Sequence, residues 1–164
     1  MLIREEQPED IAAIRLLTDE AFRGVPYSNQ KEAAIIEALR LASALTLSLV
    51  AEEDGALPGH VAFSPVLIDG ADCDWYGLGP VSVQPGRQGE GIGSALIREG
   101  LLRLKEAGAK GCVLLGDPGY YQRFGFKADE RLRLEGVPAQ YFQRLIIEGE
   151  IPRGKVTYNA AFDA

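Results

Sequence analysis

Cysteine is scarce in this 164-residue chain and histidine scarcer: Cys73 and Cys112 are the two cysteines and His60 is the single histidine. Three such groups, each alone in its segment, are too few for a metal cage or a disulfide framework, so no metal is expected and both thiols read as reduced core residues. Long apolar runs are also lacking. No stretch approaches the roughly 18 apolar residues of a membrane span, and the N-terminus has no basic stretch followed by an apolar one, so the expectation is a cytoplasmic protein without a membrane partner. Excess positive charge is missing too, because 24 acids against 17 Lys and Arg give a net charge of −7. Phosphate-backbone affinity rests on clustered Lys and Arg, which argues against nucleic acid as a partner. Repeats, low-complexity tracts and interdomain linkers are absent, which leaves one domain over residues 1–164, able to bury roughly 70% of its unfolded surface.

What the chain does have is glycine in alternation. Val81-Ser82-Val83-Gln84-Pro85 reads as a strand ended by proline. Gly86-Arg87-Gln88-Gly89-Glu90-Gly91-Ile92-Gly93-Ser94 follows and runs into an apolar-periodic helix. Glycine adopts backbone angles closed to other residues and carries no side chain to hold a ligand away, so several N–H groups can converge on one anion. A helix starting at that point adds its unpaired N–H groups and its positive dipole end. The spacing narrows the choice of anion. A dinucleotide fingerprint requires Gly or Ala at the sixth position, where this chain has Leu96 (from Gly91) or Ser94 (from Gly89). A P-loop requires a lysine after its second glycine, and none occurs between Lys31 and Lys105.

Gln88-Gly89-Glu90-Gly91-Ile92-Gly93 instead resembles the Gln/Arg-x-x-Gly-x-Gly/Ala signature of the GNAT superfamily of acyl-CoA N-acyltransferases. Tyr121-Gln122-Arg123-Phe124-Gly125-Phe126 resembles the Tyr-x-x-x-Gly-Phe segment that follows the fifth strand of that family. The opening Ile3-Arg4-Glu5, then Pro8-Glu9-Asp10 and a helix to Phe22, extends the resemblance over most of the chain. Gly59-His60-Val61-Ala62-Phe63-Ser64-Pro65 and Leu115-Gly116-Asp117-Pro118 are similar to the YhbS-like subgroup of acetyltransferases.

The resemblance implies acetyl-CoA as co-substrate and transfer of its acetyl group to a primary amine of a small molecule or peptide, by direct attack in a ternary complex. It further implies that Val81 and Val83 offer backbone groups to the pantetheine amides, while the amides of Gln88 through Ser94, including Gly89, Gly91 and Gly93, hold the pyrophosphate. Gln88 braces the loop or touches phosphate, and Arg87 is a phosphate contact by charge or simply solvated. Tyr121 is the general acid for the departing thiolate. Tyr120 points into the core or toward the acceptor, the packing role being the favoured one, and Phe124, Phe126 and the Gly125 turn read as packing. No general base is specified: Glu32, His60, Asp74 and Ser82 are all candidates. A non-catalytic acyl-CoA sensor of the same fold stands as the alternative, and a homodimer is left open.

The implied fold is an α/β (α+β) GNAT domain, a mixed, mostly antiparallel sheet of about seven strands with about four helices, splayed at the cofactor site. The local patterns agree. Ile11, Ile14, Leu17, Ala21 and Phe22 recur at helical spacing after Pro8, and Asn29 with Glu32 reads as a capping box for a helix over 30–41. Strands follow at 45–53, 60–68 and 73–83, parted by the turn pairs Asp54-Gly55 and Asp69-Gly70. A helix from Ile92 to about Ala107 and a buried parallel strand at 111–116 complete a β-loop-α-β unit. Strands at 131–135, 141–147 and 155–159 are expected to end in a hairpin. Two glycines and a proline in Gly77-Leu78-Gly79-Pro80 predict a bulge or bend within the third long strand. Residues 1–54 carry 11 acids and 5 bases, whereas 86–110 carry five bases and three acids. This asymmetry suggests an acidic acceptor side and a basic cofactor side.

Overall fold

The structure, a computed structural model, describes residues 1–163. In chain order the elements are β1 Leu2–Glu5, a single 3-10 turn at Pro8–Asp10, α1 Ile11–Phe22, α2 Glu32–Leu41, β2 Leu47–Glu53, β3 Ala56–Ile68 and β4 Ala71–Val83. There follow α3 Ile92–Glu106, β5 Gly111–Leu115, α4 Pro118–Tyr121, β6 Lys127–Ala128, β7 Leu132–Arg133, β8 Phe142–Ile146 and β9 Gly154–Tyr158. The strands order as β1-β2-β3-β4-β5-β8-β6, with β9 alongside β3 and β7 alongside β9. Only the β4–β5 and β7–β9 pairs are parallel. Asp54-Gly55 and Asp69-Gly70 turn the long strands with all four residues at positive φ, as two-residue hairpins require. The sheet is thus mixed and mostly antiparallel, with nine strands rather than about seven, two of them only two residues long.

The expected closing hairpin does not form. β8 pairs with β5 and β6, while β9 crosses the molecule to lie antiparallel to β3, Val66 opposite Tyr158 and Ile68 opposite Val156. The physical reason is the length of β3. Its Gly59–Phe63 half is covered by β2, but Val66–Ile68 runs past the start of β2 and would present an open ladder of buried backbone groups. β9 satisfies that ladder. The expected capping box is also replaced: Asn29 Oδ1 accepts from the Lys31 N–H at 3.0 Å, and Glu32 accepts from the Ser28 hydroxyl at 2.7 and 2.8 Å. The helix consequently begins at Glu32.

α3 lies on one face of the sheet, where Ile92, Leu96, Ile97 and Leu104 pack with Leu49, Val61, Phe63, Cys112 and Leu114. A side chain on Gly100 would stand 2.3 Å from the Phe63 ring, so this helix approaches the sheet as closely as glycine permits. α1 and α2 cover the other face through Ile14, Ile36 and Val50. At the far edge the buried carboxylate of Asp129 takes Arg131 at 2.7 Å and Arg144 at 3.0 Å, which holds it well below the usual carboxylate range and ties the β6–β7 segment to β8.

A polar seam runs between the sheet and the two covering helices. Arg40 on α2 grips Glu6 with two hydrogen bonds of 2.9 Å, the Ser48 hydroxyl donates to Glu6, and His60 Nε2 lies 2.8 Å from Ser48 Oγ. Ser48 has one proton and Glu6 receives it, so His60 must donate from Nε2, leaving a bare, buried Nδ1. Burial lowers the His60 pKa from 6.5 to about 4, and Glu6 opposes the shift only in part. The imidazole is therefore neutral at pH 7. A depressed folded pKa makes this a cost of acidification: stability is complete above the unfolded value and is lost as pH falls toward the folded one. Between pH 6.5 and about 4 the native protein should lose about 3 kcal/mol more than a His60→Gln variant, which has no imidazole to charge. Denaturant unfolding of both proteins at half-unit pH steps checks this, and parallel pH profiles would refute it.

Candidate active site

The site begins with an interruption in β4. Val61 faces Val81 and Phe63 faces Leu78, so two steps along β3 match three along β4, and the extra residue falls at the cis Gly79-Pro80 unit. This is the bulge that the glycines and proline predict. Before it, Trp75, Tyr76 and Gly77 pair with Gly111, Cys112 and Val113 of β5. After it, β5 continues with β8 alone, and Leu78–Val83 keeps only β3. The two parallel strands have parted.

Hydrogen-bond parity fixes which groups line the gap. The Gln84 N–H donates to Pro58 O at 2.9 Å, making that a hydrogen-bonded antiparallel pair. Such pairs alternate, so His60–Ser82 is another, whereas Gly59–Val83 and Val61–Val81 are not. The peptide N–H and C=O of Val81 and Val83 consequently point away from β3, into the gap. Ser82, between them, turns its side chain under α1, where it donates to Thr18 Oγ1 at 3.4 Å.

The glycine loop follows directly. Gly86, Gly89 and Gly91 have φ of 89°, 84° and 85°, and Gly91 is the N-cap of α3 in the left-handed region. Side chains at Gly89 and Gly91 would meet open space, so glycine is required there by backbone angle rather than by crowding. Gly93 is already helical. Its bare face looks onto Val83 Cγ2 and Tyr120 Oη at 3.5 and 3.7 Å from where a Cβ would stand. Among the described residues the amides of Gln88 through Ser94 have no acceptor within the protein, the last three being the unpaired first turn of a 15-residue helix. Gln88 itself is exposed. Arg87 is not free: its guanidinium pairs with Glu53 at 3.1 Å and Glu90 at 3.0 Å. The anion-binding capacity of this turn therefore rests on main-chain dipoles more than on a cation.

Across the gap Asp117 caps α4 by accepting from the Gly119 N–H at 3.0 Å, and its carbonyl takes the Tyr121 N–H. The two tyrosines of that single turn diverge, with rings 4.9 Å apart and nearly perpendicular. Tyr120 reaches the loop, its Oη 3.1 Å from Ser94 Oγ, and Arg123 lies over its ring at 4.2 Å. Tyr121 packs against the end of β5. Burial raises its phenol pKa to about 12, with smaller contributions from Tyr120, Tyr27 and Asp117, so it keeps its proton throughout the neutral range. Phe126 is buried in the core and Phe124 supports Arg98 at 4.9 Å, both in the packing roles expected of them. The Tyr120–Ser94 contact was not visible in the sequence, because nothing in either local pattern relates positions 26 apart.

The four candidate bases are scattered. Asp74 is exposed near the start of β4, at the opposite end from Val83. Glu32 is held by Ser28, Ser82 lies under α1, and His60 is committed to the polar seam. The charge asymmetry of the sequence is likewise partly consumed: Glu6, Asp10, Glu37, Glu52 and Glu53 are all ion-paired.

Comparison with known proteins bears directly on this arrangement. Residues 45–128 match the family described as the acetyltransferase (GNAT) domain. The uncharacterized N-acetyltransferase YhbS of Escherichia coli strain K12 is 40% identical over 146 residues, covering 86% of this chain and 84% of that protein. A GNAT family acetyltransferase from Brucella melitensis, solved in complex with acetyl-CoA, is 63% identical and superposes with a TM-score of 0.90 over 99% of this chain and 97% of its own. The structure of Escherichia coli YhbS in complex with CoA, 35% identical, also gives a TM-score of 0.90, over 99% of this chain and 92% of its own. A parted β4–β5 pair with a glycine loop at its mouth, together with these matches, places the chain in the GNAT acetyltransferase family.

Proposed function

We propose that this protein transfers an acetyl group from acetyl-CoA to a primary amine of a small molecule or peptide. The observation that carries the reading is the parting of β4 from β5, which turns the peptide groups of Val81 and Val83 outward beside the free amides of Gln88–Ser94, and the protonated Tyr121 on the turn that follows β5 completes it. The donor set suits this co-substrate. Peptide groups of a strand edge match the amides of a pantetheine arm, and a helix N-terminus behind a glycine turn matches a pyrophosphate. Acetyl-CoA supplies the activated thioester. The chain's own residues orient it and supply a proton: Val81 and Val83 hold the arm, the loop amides and Ser94 hold the phosphates, and Tyr121 Oη presents its proton to the departing sulfur. Gln88, exposed and without a partner among the described residues of the loop, is free to touch phosphate, and Arg87 fixes the loop's shape by joining Glu53 to Glu90.

With no side chain committed as base, the acceptor's proton leaves through solvent. Glu32, which opens α2, and the unpaired acids of the first two helices favour a cationic acceptor. Such attraction is screened by salt. For a cationic amine kcat/KM should fall as ionic strength rises, while a neutral amine should change little, and a preference for anionic amines would refute the reading.

Two substitutions test the remaining roles. Gly91→Asp places a carboxylate where the pyrophosphate sits and should weaken acetyl-CoA binding by about tenfold or more, about 1.4 kcal/mol. Calorimetry on the folded variant measures it, and unchanged affinity would remove the loop from the site. Tyr121→Phe keeps the ring and removes the proton. Turnover should drop by about 10²–10⁴ with acetyl-CoA affinity retained, and an unaltered rate where chemistry is limiting would exclude the tyrosine as acid.

A further inference from the structure

Gly116 directly follows β5, and its backbone does not account for its being glycine. Its φ is not positive, whereas twelve other glycines of the chain do have positive φ. Space accounts for it. A Cβ at Gly116 would stand 2.5 Å from Tyr121 Cε2 and 3.0 Å from Cδ2, so the phenol ring occupies the volume that any side chain would need. The peptide around this residue is fastened on both sides. The Gly116 N–H donates to Tyr141 O at 2.9 Å, and Gly116 O accepts from Gln143 Nε2 at 3.0 Å. Gln143 is wholly buried on β8, and its Oε1 has no partner. A buried amide left half satisfied is a cost that an apolar residue of the same shape would avoid. Its amide nitrogen keeps the bond to Gly116 O, and a longer one of 3.4 Å to Tyr141 O, the same carbonyl that takes the Gly116 N–H. Asp117, the next residue, then caps the turn that carries Tyr121.

We infer that Gly116 and Gln143 are positioning residues for Tyr121: the glycine is the seat on which the phenol ring rests, and the glutamine fixes the height of that seat. The inference rests on the proposed role of Tyr121. Neither residue touches the reacting atoms. Gly116 sets where the ring lies, Gln143 sets where Gly116 lies, and the phenol proton is delivered to the sulfur only from that placement. Displacement of a reacting group by about 1 Å can cost on the order of a hundredfold in rate.

Gly116→Ala should lower kcat by about 10- to 100-fold while KM for acetyl-CoA stays within about twofold. Gln143→Met removes both the donor to Gly116 and the unpartnered Oε1, so it should leave the unfolding midpoint close to that of the native protein and still lower kcat by about 3- to 10-fold. The decisive measurement repeats both substitutions in a Tyr121→Phe background, where neither should lower kcat further. Should Gly116→Ala fail to fold, Gln143→Met carries the same test. The 19F signal of fluorotyrosine at position 121, assigned by its loss in Tyr121→Phe, should move in either variant without any turnover being measured. Full kcat in both variants, or an equal loss with and without the phenol, would overturn the inference while leaving Tyr121 as the acid. An unaltered rate in Tyr121→Phe alone would instead remove the role of Tyr121, and the inference with it.

Discussion

Everything distinctive in this structure depends on β4 having partners on two sides for only two residues. Tyr76 and Gly77 are held by β3 and β5 together, and beyond that point the bulge at Gly79-Pro80 turns β4 away from β5. A parallel pair normally lies buried with its ladder complete. Here the ladder stops inside the sheet, leaving main-chain donors and acceptors that have no strand to meet. Leaving such groups unpaired is expensive away from water, so the gap must be wet or filled by something strand-like. A linear molecule bearing its own amides is the natural occupant. The same interruption sets the direction of the chain that follows, since the strand beyond the bulge delivers the glycine loop to the mouth of the gap.

The position of α3 converts that opening into a site. Because Gly100 lets the helix sit against Phe63, the helix axis lies low on the sheet and its first turn arrives beside Val83 rather than above it. A bulkier residue would lift the helix and take its N-terminal amides out of reach of the gap. Burial of Ile92, Leu96, Ile97 and Leu104 at 0–3% exposure then locks the depth. At about 1.5–3 kcal/mol for each such side chain, packing far exceeds any single contact the loop could make with a ligand. The core thus holds the free amides in place before a ligand is present, and a ligand need not bear the cost of ordering them.

The parts of this arrangement that could be read from the sequence are those governed by local backbone chemistry. Gly86, Gly89 and Gly91 announce positive φ, Asp54-Gly55 and Asp69-Gly70 announce tight hairpins, and Gly77 through Pro80 announce the bulge. Parallel pairing of β5 follows from an intervening helix, and the turn that carries Tyr121 and closes at Gly125 from a motif six residues long. What escaped were relations between distant positions. Arg87 looked like a free loop cation, but Glu53 lies opposite it from a strand 34 residues earlier. Spacing alone predicts a closing hairpin, yet β9 goes where β3 outruns β2, and strand length is the boundary that sequence reads least well. Asn29 and Glu32 fitted a capping box until Ser28 proved a nearer partner for the glutamate. Tyr120 read as packing because only the fold shows that Ser94 stands in front of it.

The electrostatics of the site follow from the same separation of roles. The loop's only arginine is neutralised by two carboxylates, the histidine on the neighbouring strand is kept neutral by burial, and the tyrosine at the gap is held protonated by burial. The loop arginine and the buried histidine therefore place no free cation where a thioester would react, and the groups turned into the gap are dipoles. That suits a reaction in which a neutral amine attacks a neutral acyl group. A formal charge beside it would favour either the ammonium form of the acceptor or the thiolate before bond breaking, and so would stabilise ground states as much as the transition state. Oriented peptide groups and a neutral phenol interact most strongly where charge develops during the reaction, which is the condition for lowering the barrier rather than merely tightening binding.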